Sequence, residues 1–205
     1  MTASSIAKGQ LVTVFGGSGF LGRYVVQTLA RRGLRVRVAV RRPDLAQHLQ
    51  PLGTVGQIHA VQANLRFPES VRAAVQGASA VINLVGILQQ SGRQTFTALQ
   101  TTGAESVARE AAAIGARMIH VSAIGADAES PAQYGQSKAE GEARVMALCP
   151  DAVILRPSIV FGPGDSFFNR FAALARVFPV LPIASAETRF QPVFAGDVAE
   201  AVARA

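Results

Sequence analysis

"LVTVFGGSGFLGRYVV", residues 11–26, is the stretch on which the reading of this chain turns. Leu11–Phe15 are apolar or β-branched without a break, as in a strand buried on both faces. Gly16, Gly19 and Gly22 follow at a spacing of three. From Phe20 the apolar residues recur at helical intervals through Leu21, Val25, Val26 and Leu29, until Gly33 stops them. A G-x-x-G-x-x-G alone is a weak signal, but here it joins a strand directly to a helix. Glycines in that place allow a tight turn and close backbone approach, and the helix N-terminus offers unpaired N–H groups and positive potential to a pyrophosphate. The stretch predicts a dinucleotide site; the plainer alternative is a strand–helix turn with glycines for packing.

Beyond it the pattern is alternation. Arg35–Val40, Gln57–Gln62, "SAVINLVGIL" (79–88), "ARMIHVSAI" (116–124) and "AVILRPSIV" (152–160) read as further strands. Helical stretches fall at Pro68–Gln76, Phe96–Ile114 and Pro131–Leu148. Val- and Ile-rich strands alternating with helices predict a doubly wound parallel α/β sheet covered on both faces. After Pro157 the texture changes to a Pro- and Phe-rich stretch without that rhythm, so residues 1–157 are expected to form the dinucleotide-binding domain and 158–205 the beginning of a small substrate-facing region. The closing "GDVAEAVARA" predicts a helix capped by Asp197. The "FFNRF" run at 167–171 suits a substrate lid or an interface.

Composition narrows the function. With 49% hydrophobic and 16% charged residues, the 205-residue chain is expected to be globular. No apolar run is long enough to span a bilayer. Met1–Gln10 carries neither an apolar signal core nor an arginine-rich leader, and the single Cys149 cannot form an internal disulfide, so a cytoplasmic location is expected. A net charge of +7 invites a nucleic-acid reading. The 18 arginines are scattered, however, and no aromatic residues interleave with them as a stacking platform requires, so phosphorylated ligands or an acidic partner fit better. His48, His59 and His120 lack metal-ligand spacing, and His120 reads as a satisfied core residue. No G-x-S-x-G elbow is present for hydrolase chemistry. Asp165 and Asp197 read as turn and cap residues.

The cofactor can be read one step further. An acid about 20 residues beyond the glycines would take the ribose hydroxyls of NAD. Here the second strand ends "VAVRRPD", which puts Arg41 and Arg42 in that place; guanidinium groups pair with a 2′-phosphate where a carboxylate repels it. NADP(H) is therefore favoured over NAD(H). Asp44 is the candidate for the NAD alternative, or else an N-cap, and Arg23 is either a phosphate contact or a solvated helix residue.

Tyr134 and Lys138, in "YGQSK", lie one helical turn apart on one face. With two tyrosines and two lysines in 205 residues, random placement gives a Tyr-x-x-x-Lys roughly 0.02 times. Gly16/Gly19/Gly22, "YGQSK" and "LRPSIVFGPGD" (155–165) together resemble an extended or atypical short-chain dehydrogenase/reductase of the NAD-dependent epimerase/dehydratase type, with a Rossmann sheet. "VFGGSGFLGRYVV", "AVRRP", "LVGIL", "HVSAIGA" and "YGQSKAEGE" are similar to the branch holding the NADPH-binding accessory subunit of respiratory complex I and its bacterial relatives. The resemblance implies that Gly16, Gly19, Phe20, Leu21 and Gly22 meet the pyrophosphate. It places Asn64 and Leu65 around the adenine, with an amide where the family usually has an acid, and Val85 and Gly86 along the cofactor. It makes Tyr134 the general acid/base, and Lys138 the residue that bonds the nicotinamide ribose and lowers the tyrosine's pKa. Members are usually longer, which implies that part of the C-terminal substrate region is missing here.

The usual Ser or Thr that holds the substrate oxygen falls on Ala123 and Ile124, neither of which donates a hydrogen bond. Ser122 is the candidate stand-in, if the strand ends in a shifted register. Two expectations remain. One is an oxidoreductase or epimerase acting on a carbonyl or hydroxyl. The other is a weakly catalytic or non-catalytic cofactor-binding subunit or sensor in a respiratory or quinone-related assembly, peripheral at the inner membrane face. The intact pair favours the first and the missing donor the second.

Overall fold

The computed structural model describes residues 7–178 and 187–205. Met1–Ile6 and the 179–186 part of the Pro- and Phe-rich stretch lie outside the described residues. Strand β1 (Leu11–Phe15) runs into helix α1 (Phe20–Arg31), followed by β2 (Arg35–Val40) and a short 3-10 segment (Pro43–Leu52). β3 (Ile58–Gln62), α2 (Pro68–Val75) and β4 (Ala80–Asn83) continue the alternation. A π-turn (Thr97–Thr101) leads into α3 (Thr102–Ala113), then β5 (Arg117–Val121), α4 (Gln133–Leu148) and β6 (Val153–Leu155). The remainder is β7 (Val160–Phe161), α5 (Phe168–Ala175), β8 (Val193–Phe194) and α6 (Ala195–Arg204).

Six strands form one parallel sheet in the order β3-β2-β1-β4-β5-β6, and β7 and β8 pair separately. The chain fills the sheet outward from β1 in one direction and then from β4 in the other, so the crossovers diverge between β1 and β4 and leave a crevice at their carboxyl ends. Alternation along each strand separates the two cores. Val12, Val14, Val36, Val38, Ile82 and Ile119 face Val25, Val26 and Leu29 of α1 together with Ala199 and Val202 of α6. Phe15, Val81 and Met118 face Val71 of α2, Ala104, Val107 and Ala111 of α3, and Val145 of α4. Thr13, fully buried between valines, donates its hydroxyl to the Ala74 carbonyl at 2.9 Å. Covered on both faces, the strands need no polar side, which is why they read as continuous apolar runs.

Several elements depart from the sequence expectation. The apolar run from Ser79 leaves the sheet after Asn83, and its second half follows the crevice instead of extending β4. The run 152–160 divides into β6 and β7, because Pro157 has no N–H to give to a ladder. The helix from Phe96 opens with the π-turn, in which the Gln100 carbonyl turns towards Gly141 of α4 so closely that a Cβ there would overlap it. Asp197 is not the cap of α6: Phe194 holds that position, and Asp197 sits in the first turn, where its charge still faces the positive end of the helix. Although the sequence changes character at Pro157, α6 returns to cover the same sheet face as α1.

Candidate functional site

The β1–α1 turn is built so that backbone can approach backbone. Gly16 takes a φ of +79°, the left-handed region that favours glycine. A Cβ on Gly22 would lie 2.6 Å from the Gly17 carbonyl carbon and closer still to the Gly16 oxygen, so no side chain fits there. Gly19 heads α1 with no side-chain cap and no acid in the first turn, so the positive end of the helix faces the crevice uncompensated. Phe20 and Leu21 contribute to this first turn through their backbone; the Phe20 ring packs edge-on against Tyr24 at 5.7 Å.

A cleft of about 290 Å³ opens at the carboxyl ends of β1 to β4. Gly16, Ser18 and Gly19 form its floor, Val40 and Arg41 one wall at the end of β2, and Asn64, Leu65 and Arg66 the adjoining wall after β3. Val85, Gly86 and Ile87 line the opposite side, and Gln94 reaches in from the following loop. The exit from β4 is fixed by Asn83, which is fully buried. Its Oδ1 accepts the Val85 N–H at 3.1 Å, leaving its Nδ2 to donate to His120 Nδ1 at 3.2 Å. His120 therefore carries its proton on Nε2, which is buried without a hydrogen-bond partner among the described residues. The expectation of a satisfied core histidine is half met. Burial, with Lys138 nearby, lowers its pKa to about 4 and keeps it neutral.

Tyr134 and Lys138 lie one turn apart on α4 and neither lines the cleft, but Lys138 reaches Gly86, which does. A Cβ on Gly86 would lie 3.2 Å from Lys138 Nζ, so the ammonium presses against a residue that has no side chain to interfere. Lys138 is only 4% exposed and donates to the Val121 carbonyl at 3.3 Å. Burial brings its pKa down to about 8, against the raising influence of Glu142, whose carboxylate is also held by Arg156. The Tyr134 ring is half-buried and meets Phe96 edge-on at 5.9 Å. Burial raises its phenol above the ordinary value near 10, opposite to the lowering expected from Lys138. Gln100 links the cleft wall to α4, donating to the Ile87 carbonyl at 2.6 Å and accepting from the Ser137 hydroxyl at 2.8 Å.

Other expected site residues lie elsewhere. Arg42 donates to Asp44 at 2.9 Å, an exposed pair that does not line the cleft, and Asp44 sits in the first turn of the 3-10 segment, where Arg42 is the cap position. Ser122 keeps the β5–β6 register through its N–H to the Leu155 carbonyl; its hydroxyl is buried without a partner among the described residues and does not line the cleft. Ala123 and Ile124 follow it, and Ile124 is exposed. Arg23 donates to the Pro163 carbonyl at 2.9 Å, joined there by the Tyr24 hydroxyl at 3.1 Å, so it clamps the loop before α5. Asp165 sits in the turn before α5, its N–H on the Gly162 carbonyl and its carboxylate accepting the Phe168 N–H at 2.6 Å, while Phe167 holds the cap position. Sequence reasoning missed Arg66, Gln94 and Gln100. Arg66 had a readable signal, two residues beyond Asn64 at the end of a strand, whereas the other two act through loop and π-turn geometry.

Residues 16–157 match the NAD(P)H-binding family, and the chain belongs to it. Among its relatives, the mitochondrial NADH dehydrogenase (ubiquinone) 1 alpha subcomplex subunit 9 of Rattus norvegicus is 38% identical over 98% of this chain and 54% of its own. The ceramide reductase of Caulobacter vibrioides is 34% identical over 92% of this chain and 58% of its own. The chain thus spans about half the length of the curated relatives it matches. A Bacillus halodurans structure assigned as an NAD-dependent epimerase/dehydratase superposes with a TM-score of 0.72 at 22% identity, covering 95% of this chain and 86% of the other, a likeness of fold. No helix among the described residues is long and apolar enough to cross a membrane.

Proposed function

We propose that this protein is an NADP(H)-dependent carbonyl reductase of the short-chain dehydrogenase/reductase type, in which Tyr134 is the proton donor. The observation that carries the reading is a side-chain-free glycine turn flooring the crevice together with a buried ammonium packed against Gly86 on its wall. Gly16, Gly19, Gly22 and the first turn of α1, with Phe20 and Leu21, suit the pyrophosphate, since the absence of a Cβ at Gly22 lets the helix start pack tightly on the turn and present its free N–H groups. Leu65, Asn64 and Arg41 suit the adenosine end, and Arg41, with no ion-pair partner among the described residues, favours a 2′-phosphate. Val85 and Gly86 would lie along the dinucleotide, and Lys138, packed against Gly86, would hold its nicotinamide ribose.

NADPH, when bound, supplies the hydride. Tyr134 delivers the proton to the carbonyl oxygen, and its raised pKa keeps the phenol protonated at neutral pH, which suits reduction better than oxidation. Lys138 holds positive charge behind it as the phenolate forms. The substrate is proposed to carry an apolar portion, because Phe167, Phe168 and Phe171 of the adjoining region are partly exposed and the Caulobacter relative reduces a ceramide.

A second reading has its own support. Ser122 is turned inward and Ala123 and Ile124 offer no hydroxyl, and losing such a donor typically costs about 10²–10³ in rate. The protein would then be a cofactor-holding accessory subunit, peripheral at a membrane, as its complex I relatives suggest.

Titration with NADPH and NADH by nicotinamide fluorescence, followed by assay of ketones bearing apolar chains, tests both readings. The reductase reading expects tighter NADPH binding and turnover that falls about 10²–10⁴-fold in Tyr134→Phe with binding retained. Binding without turnover, alike in both proteins, would leave the accessory reading. Tighter NADH binding would sink the NADP assignment.

A further inference from the structure

We infer that Arg66, and not Arg42, is the second guanidinium that reads the dinucleotide's 2′-phosphate. This rests on the NADP(H) reading above and names the specificity determinant within it.

The register of the sheet brings the relevant residues together. β2 and β3 pair with Val40 opposite Gln62, and the Ala63 N–H continues the ladder to the Val40 carbonyl at 2.8 Å. Arg41 and Ala63 therefore leave the sheet side by side. A tight turn follows at once: the Phe67 N–H bonds the Asn64 carbonyl at 2.8 Å, and the Asn64 side-chain oxygen accepts the Arg66 N–H at 3.2 Å. The amide of Asn64 thus shapes the turn that brings Arg66 to the cleft that Arg41 also lines. The Arg66 guanidinium lies 5.7 Å from the Phe67 ring, a contact that orients it without neutralising it.

Charge completes the argument. No Asp or Glu lines this cleft, and neither Arg41 nor Arg66 has an ion-pair partner among the described residues. Two uncompensated guanidinium groups on adjoining walls match a phosphate monoester, which is dianionic near neutral pH and offers three acceptor oxygens. Arg42 fails on both counts, since its guanidinium is engaged by Asp44 and it does not line the cleft. Adjacent in sequence to Arg41, it projects elsewhere because the chain turns at Pro43 into the 3-10 segment.

The test is fluorescence titration of NADPH and NADH against the native protein, Arg66→Gln, Arg42→Gln and Asn64→Asp, with circular dichroism melts to verify folding. Arg66→Gln should weaken NADPH about tenfold or more, with NADH affinity held within about twofold, because a charged hydrogen bond to the extra phosphate is lost and nothing else. Arg42→Gln should leave both ligands within about twofold. Asn64→Asp, which sets a carboxylate beside both arginines, should weaken NADPH selectively. If the native protein prefers NADPH and Arg66→Gln does not alter that preference, the assignment of Arg66 is overturned and the NADP(H) reading stands. Equal loss of NADPH and NADH in Arg66→Gln also overturns it, by showing a contact common to both ligands. A native protein that binds NADH as tightly as NADPH overturns the assignment and the reading beneath it together.

Discussion

Lys138 holds an ammonium in a site that is 4% exposed, with one carbonyl 3.3 Å away as its hydrogen-bond acceptor. Its pKa in the folded chain is about 8, against 10.5 for an ordinary lysine. Between those two values the unfolded chain keeps a proton that the folded chain has released, so stability rises as pH climbs from 8 to 10.5. Below pH 8 the full cost stands, about 3 kcal/mol from a shift of this size. Lys138→Met should therefore raise the melting temperature at pH 7, by the equivalent of roughly 1–3 kcal/mol, while weakening dinucleotide binding. The gain should shrink towards pH 10.5; a variant no more stable than the native protein at pH 7 would contradict this account. The sequence singles out Tyr134 and Lys138 because tyrosine and lysine are rare enough in this chain for their spacing to carry information, and both fall on α4. It could not anticipate the upward shift of Tyr134, since burial is a property of the packed helix and is not written in the spacing.

At the scale of the element, the β1–α1 turn is held by backbone packed directly on backbone. Gly22→Ala places a Cβ against the backbone of Gly16 and Gly17, atoms that cannot rotate aside as a side chain could. Destabilisation of about 1–3 kcal/mol and loss of dinucleotide binding are expected, measured by denaturant unfolding and by nicotinamide fluorescence. Binding that survives in Gly22→Ala would mean that the turn is not where backbone meets the ligand. The turn was legible because its glycines, strand and helix are contiguous. The same contiguity misled for residues 79–88 and 152–160, where one apolar run proved to be a strand plus a cleft wall in the first case and two strands in the second. Apolar composition cannot tell a residue buried in a sheet from one lining a crevice at the end of that sheet. The π-turn at Thr97–Thr101 was equally hidden, because what opens it is close contact with Gly141, distant in sequence.

Across the whole molecule, acid stability is expected to turn on His120. Its pKa of about 4 in the folded chain lies below the ordinary 6.5, so the unfolded chain takes up a proton through that window and the folded chain does not. Stability should fall as pH drops from 6.5 to 4, by up to about 3 kcal/mol. Denaturant unfolding at pH 7 and pH 4.5 should show a steeper loss in the native protein than in His120→Gln; equal slopes would locate the acid sensitivity elsewhere. The order of the sheet was legible from the alternation of strands and helices, whereas the return of α6 to the α1 face was not, since it depends on a chain path through the least regular part of the sequence. The buried ammonium of Lys138 also bears on how the fold responds to its ligand. A ligand held only by the folded form stabilises it by about 2.7 kcal/mol at a hundredfold excess over Kd, close to the cost that this one side chain imposes. If the cleft holds a dinucleotide as proposed, added nicotinamide cofactor should slow digestion of the chain by a protease, and limited proteolysis across a cofactor titration measures it.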